Sequence, residues 1–191
     1  MERHLSYGSK NQMLLVLLAQ TYNNHDLKLE NNSMKQRIKK NFNIALAGFI
    51  ASLVMFLIIY LGTTITGMAP FNIPPSAAFL YNLGIESNGF ALLLHFSYGI
   101  LWSYVLVYTF EDDVSITKAL ILSIILWVFM MTVYSPLIGW GIFGFGYAHH
   151  LASNHPLYLD NNFLYIVITL GVHLVYGFIL GYLNSRTLYT S

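Results

Sequence analysis

Four stretches of the chain, 44–66, 89–110, 119–142 and 163–183, run for a full membrane thickness without a single Lys, Arg, Asp or Glu. A hydrocarbon core of about 30 Å takes about 20 mostly apolar residues in a helix. Inside a bilayer every backbone N–H and C=O must bond within its own segment, and the ten-residue alternation of a membrane barrel is missing. The pattern therefore predicts an all-α membrane protein, a bundle of four transmembrane helices.

The polar positions divide the rest. Residues 1–40 form an N-terminal arm in which an apolar run, 13–19, too short to span, is followed by a polar stretch and the basic cluster Lys35, Arg37, Lys39 and Lys40. Residues 41–185 hold the bundle, and 186–191 form a short tail. Read as a secretory signal, 13–19 would carry the basic cluster outward against the charge pattern below, so the segment reads as a cytoplasmic helix. It is apolar nearly all round, which suits burial against another chain or the membrane surface.

Between the first two spans, Pro74-Pro75-Ser76 followed by Ala77 to Leu83 and Gly84 predicts a short helix. In that reading Ser76 serves as its cap, Gly84 stands at the left-handed position beyond its end, and Phe79, Leu80 and Leu83 rest on the membrane interface. In the third span Pro136 removes a helical donor and predicts a kink.

Charge sets the direction. All nine Lys and Arg lie before the first span (seven), at Lys118 between spans two and three, or at Arg186 after span four, and segments 67–88 and 143–162 carry none. The positive-inside rule places both termini in the cytoplasm. Only 9% of residues are charged, the net charge is +1 and there is no cysteine, which excludes a basic nucleic-acid-binding face, thiolate chemistry, Cys-ligated zinc and a disulfide scaffold. The partners expected are the lipid bilayer and other membrane-protein subunits, with no nucleic acid.

The candidate chemistry lies in spans two and four. His95, Tyr98, Gly99 and Tyr104 recur at the same spacing as His173, Tyr176, Gly177 and Tyr182. Both spans run the same way through the membrane, so the chain reads as two parallel-repeat hairpins. An intramembrane imidazole is costly unless partnered, and by default it marks a function. Two such groups at one depth could be axial ligands of haem b or a copper pair, with Gly99 and Gly177 making room for a flat ligand and Tyr98 and Tyr176 bonding near the imidazoles. The alternatives are a proton or metal-ion path through His95 and His173, and plain hydrogen bonds that fasten helices together.

A second candidate, a metal site, is the external group His149, His150, His155 and Asp160. Adjacent histidines on a helix point about 100° apart, so such a site requires loop geometry. His4 and His25 in the arm read as solvated. Phosphate loops, metalloprotease helices, nucleophile elbows and intramembrane carboxylates are all missing, so the chain itself holds no catalytic constellation. Trp102, Trp127 and Trp140 suit interface belts and bundle packing.

The first span rich in Gly and Ala, the Pro-containing external loop and the paired HxxYG spans resemble the small bacterial four-helix inner-membrane proteins of the YagU-like kind, over residues 41–185. The resemblance implies the bacterial cytoplasmic (inner) membrane and association with larger membrane complexes, including respiratory ones. It supplies no catalytic residues. Two functions are expected from these readings: an accessory or structural subunit of a larger, respiratory membrane complex, with or without haem b or copper between His95 and His173, or a small proton- or metal-ion-handling transporter or channel.

The absence of native cysteine makes the orientation directly measurable. Cysteines introduced as Glu86→Cys and Ser153→Cys are expected to react with an impermeant maleimide added outside intact cells, and Asp112→Cys only after lysis. The reverse labelling would invert the topology.

Overall fold

The computed structural model describes the backbone of residues 5–64 and 69–189, which is all-helical apart from its connections. Residue His4, the last positions of the first expected span (65–66), and the side chains of His25 and of segment 13–17 lie outside the described residues. The chain divides into two compact units, residues 1–41 and 42–191. Helix α1 is Leu5–Thr64. In the first unit its side chains from Leu27 to Lys39 are exposed.

Among the described residues four helices are long and apolar enough to cross a membrane: Leu27–Thr64, Asn88–Phe110, Ile116–Leu137 and Asn162–Arg186. In the second unit, the 42–64 part of α1 is joined by α2 (Pro75–Asn82), α3 (Asn88–Phe110), α4 (Ile116–Phe129), a short α5 (Ser135–Leu137) and α6 (Asn162–Tyr189). Ser87 and Ser115 cap α3 and α4, each accepting from the backbone N–H three residues on, at 3.3 Å. Between α3 and α4 lies a tight turn, Glu111–Asp113, where Lys118 pairs with Asp113. That pair is exposed and adds little stability.

Two pairs of helices approach closely because small residues face each other. A Cβ added to Gly48 of α1 would stand 2.6 Å from the Gly99 carbonyl oxygen and 2.8 Å from Ile100 Cα, so the α1 and α3 backbones are themselves in contact. One added to Gly99 would stand 2.4 Å from Ser52 Cβ. Between α4 and α6 a Cβ on Gly177 would meet Ser123 Cβ at 2.7 Å and the Ala119 oxygen at 2.9 Å, and one on Gly181 would meet Ile116 Cα at 2.7 Å. Lipid tails are as apolar as Leu, so helix association in a membrane rests on such packing rather than on the hydrophobic effect.

The core has two parts. Toward the short Glu111–Asp113 turn it contains Ile44, Ala51, Leu106, Val107, Ala119, Leu126, Tyr176 and Leu180. Toward the long connections it is aromatic, with Phe71, Trp140 and Tyr165 in mutual contact: Trp140 stacks on Phe71 at 5.6 Å and meets Tyr165 edge-on at 5.2 Å. The connections are pinned to each other here. Phe71 pairs with Leu159 as an isolated antiparallel bridge, Asp160 N–H donates to the Pro70 oxygen at 2.8 Å, and Asn72 Nδ2 donates to the Ser153 and His155 oxygens. Trp140 is fully buried and donates through Nε1 to the Leu157 oxygen at 3.0 Å. It belongs to this core rather than to an interface belt.

Two expectations are corrected in detail. Helix α2 begins with Pro75 at its first turn after Pro74, and no side chain caps it, Ser76 included. Its end follows the expected logic: Gly84 has φ +73°, its N–H donates to the Tyr81 oxygen and that of Ile85 to the Leu80 oxygen, the paired bonds of a Schellman motif. Leu80 is turned into the protein with Ala78, and only Leu83 of the three expected interface residues is exposed. The α2 ring Phe79 stacks on Tyr134 at 5.8 Å.

The third span ends earlier than residue 142. Just before Pro136 the helix widens into a π turn, Met130–Tyr134, in which the Ser135 N–H donates to the Met130 oxygen. Proline removes a donor and clashes with the preceding turn, and a wider turn relieves both. After Leu137 the chain leaves helix through Gly139 (φ +88°) and Gly141 (φ +76°), and Ser135 Oγ bonds the Gly141 oxygen at 2.8 Å.

The close approaches yield a stability prediction. Gly99→Ala and Gly177→Ala are each expected to cost about 1–3 kcal/mol through overpacking. Gly171→Ala, where a Cβ meets nothing within 4 Å, is expected to be neutral or to stabilise by up to about 1 kcal/mol through helix propensity. Reversible unfolding in mixed micelles reads the difference.

Candidate functional site

The repeated histidines stand on α3 and α6, and each is tied to a main-chain carbonyl. His95 Nε2 lies 2.9 Å from the oxygen of Ser52 on α1. His173 Nδ1 lies 2.7 Å from the oxygen of Thr169, one turn back on its own helix, and His173 is buried. A carbonyl oxygen only accepts, so the facing ring nitrogen must carry the proton in each case. His95 is therefore the Nε2–H tautomer with its lone pair on Nδ1, and neutral His173 is the Nδ1–H tautomer with its lone pair on Nε2.

The surroundings explain the difference. At Ser52 the helix passes so close to Gly99 that its carbonyl is within reach of a side chain four residues before that glycine. Ser52 satisfies its own hydroxyl by donating back to Gly48 and Phe49 oxygens. On α6, Thr169 is the hub: its oxygen accepts from His173, its hydroxyl donates to the Tyr165 oxygen at 2.6 Å, and it accepts from Trp127 Nε1 at 3.2 Å. This last bond joins α4 to α6.

The tyrosines of the motif do not bond to the imidazoles. Tyr176 is buried and its hydroxyl donates to the Gly99 oxygen at 2.9 Å, joining α6 to α3. Tyr98 is partly exposed and packs edge-on against Trp102. Gly99 and Gly177 let neighbouring helices approach closely, and the faces they open are occupied by Ser52 and Ser123 of the adjoining helices.

Two residues outside the paired motif, Ser103 and Asn184, complete the network. Ser103, fully buried on α3, donates to the Ile44 oxygen of α1 at 2.7 Å and accepts from Asn184 of α6 at 3.1 Å. The Asn184 amide also donates to Leu180 at 2.9 Å. One serine thus joins three helices. Asn184 lay one residue beyond the expected fourth span, and the small pairs Gly48/Ser52 and Ala119/Ser123 at four-residue spacing were the legible signal for the tight faces.

The external group is dispersed. The His149 and His150 rings lie side by side, tilted by 44°, with centroids 3.9 Å apart. His155 lies edge-on to Tyr81 and accepts the Leu157 N–H through Nδ1 at 3.1 Å. Asp160 accepts from the Tyr158 hydroxyl at 3.2 Å, a bond that holds the Tyr158 phenol above its usual range. Among the described residues no three His, Asp or Glu side chains are grouped to hold a metal ion.

No family model, curated protein or solved structure matches the chain.

The network predicts unequal losses. Tyr176→Phe and Ser103→Ala are each expected to destabilise the bundle by about 0.6–2 kcal/mol, the range of interhelical hydrogen bonds in membranes. Tyr98→Phe is expected to leave stability unchanged within about 0.5 kcal/mol. Parallel unfolding curves of the three variants make the comparison.

Proposed function

We propose that this protein is an accessory, structural subunit of a larger membrane complex, a rigid bundle of two tandem hairpins with both termini in the cytoplasm. The observation that carries this reading is how the buried polar groups are used. His95, His173, Tyr176, Ser103, Asn184 and Thr169 all bond to main-chain carbonyls or to one another. Several of these bonds run between helices, and such groups act as fasteners.

The hairpin repeat draws support from matching contacts. Gly99 of the first motif sits against Gly48 and Ser52, a pair four residues apart on α1, while Gly177 of the second sits against Ala119 and Ser123, a pair four apart on α4. Ser52 and Ser123 both fold their hydroxyls back onto the carbonyl three residues earlier. In this reading the two histidines differ because only the first bonds across to its partner helix.

For haem b or copper the donor set is a poor fit. His173 keeps Nε2 free, but His95 spends Nε2 on the Ser52 oxygen, and the glycine faces a porphyrin would need are occupied by serines. The proposed role instead leaves broad apolar faces, such as Leu93, Leu101, Ile121 and Ile125, for neighbouring subunits and lipid.

Gentle solubilisation of the native protein tests the reading. The expected result is reproducible co-purification of other membrane subunits, together with a dithionite-reduced spectrum that is the same in wild type, His95→Ala and His173→Ala. A monodisperse chain with no partners would overturn the subunit role. A reduced α-band lost in either variant would assign the histidines to haem ligation, and proton or metal flux into liposomes abolished by either variant would make the protein a transporter.

A further inference from the structure

The arm carries an unpartnered stripe whose pattern is that of a coiled coil. From the structure and sequence we infer that residues 27–38 of α1 pair with the same segment of a second copy of this chain, as a parallel two-stranded coiled coil at the membrane surface.

The apolar part of α1 ends well short of the helix. The segment Leu27–Thr64 is 38 residues, about 57 Å at 1.5 Å per residue, against a hydrocarbon core of about 30 Å. The part rich in charge, from Lys28 to Lys40, therefore lies beyond what the hydrocarbon core takes up. An isolated helix gains most of its stability from packing one face, yet Leu27, Met34 and Ile38 are 55%, 55% and 62% exposed.

Those three residues share one heptad frame. With Asn31 and Ile38 at the a positions, Leu27 and Met34 take the d positions, while the exposed Leu29 falls outside the frame. A buried Asn at a costs stability but specifies a two-stranded, in-register pair. The flanking charges agree: Glu30 falls at g and Lys35 at the following e, the two positions that meet between chains in a parallel dimer. Neither has an ion-pair partner within its own chain among the described residues. Because every copy enters the membrane the same way round, two arms leaving it side by side must run parallel. The partner that fits the stripe, Asn31 and the charge pair together is thus the same sequence. This pairing is independent of what the bundle binds.

Disulfide trapping in membranes containing the full-length chain tests it, since there is no native cysteine. In a parallel pair like a or d positions face each other across the axis, within disulfide reach. Leu27→Cys, Asn31→Cys, Met34→Cys and Ile38→Cys are expected to form dimers on mild oxidation, while the outward Asn32→Cys and Gln36→Cys are not. In the Asn31→Cys background, Glu30→Lys is expected to lower the dimer yield about two- to tenfold, and adding Lys35→Glu to restore it. These are exposed positions, so a folding defect does not confuse the result. Trapping at none of the stripe positions, or equally at stripe and outward positions, overturns the inference. So does shielding of the stripe cysteines from a soluble maleimide that depends on anionic lipid alone, which would place the arm flat on the membrane.

Discussion

The bundle depends on the near-contact of helix backbones at small residues. Where Gly48 meets Gly99, and where Gly177 and Gly181 meet Ala119 and Ile116, no side chain separates the main chains. In a lipid solvent this is the main route to attraction, because many small dispersion contacts and short carbonyl-directed hydrogen bonds become available only at that separation. The Ser52 oxygen is reached by His95, the Gly99 oxygen by Tyr176 and the Ile44 oxygen by Ser103, all at or beside the α1 and α3 approach.

The polar residues follow from that geometry. An imidazole, a phenol or an amide in hydrocarbon must find an acceptor, and helix carbonyls are the acceptors present in greatest number. Each bond to a carbonyl fixes a donor and so a tautomer, which makes His95 and His173 chemically distinct despite their matching sequence surroundings. The two histidines then read as one cross-helix fastener and one local back-bond.

At the other end of the bundle, aromatic packing replaces small-residue packing. Pro136 ends the regular helix through a π turn, and the glycines after it bring Trp140 back into the protein, where Phe71 and Tyr165 enclose it. The long connections are held by the bonds from Asn72 and Asp160 and by the Phe71 and Leu159 bridge. His149, His150, His155 and Asp160 are distributed around this cap rather than gathered by it.

Properties that depend on a local window were legible without coordinates. Uncharged runs of membrane length identified the four spans, Pro136 marked the disturbed helix, and Pro75 and Gly84 bracketed α2, because hydropathy and backbone breakers act on the segment that contains them. The repeated His, Tyr and Gly pointed to the residues at the centre of the bundle, but not to their bonds. A donor on a helix has carbonyls of several helices within reach, and only the register at Gly48 and Gly99 decides that His95 meets Ser52 while His173 meets Thr169. In the same way Asn184 acquires its role from Ser103, which lies far away in sequence, and Trp140 is buried only because the chain turns back after Leu137. The sequence by itself determined which segments are helices and which residues must be satisfied; the tertiary structure decided what satisfies them, since that depends on which backbones come close enough to share a carbonyl.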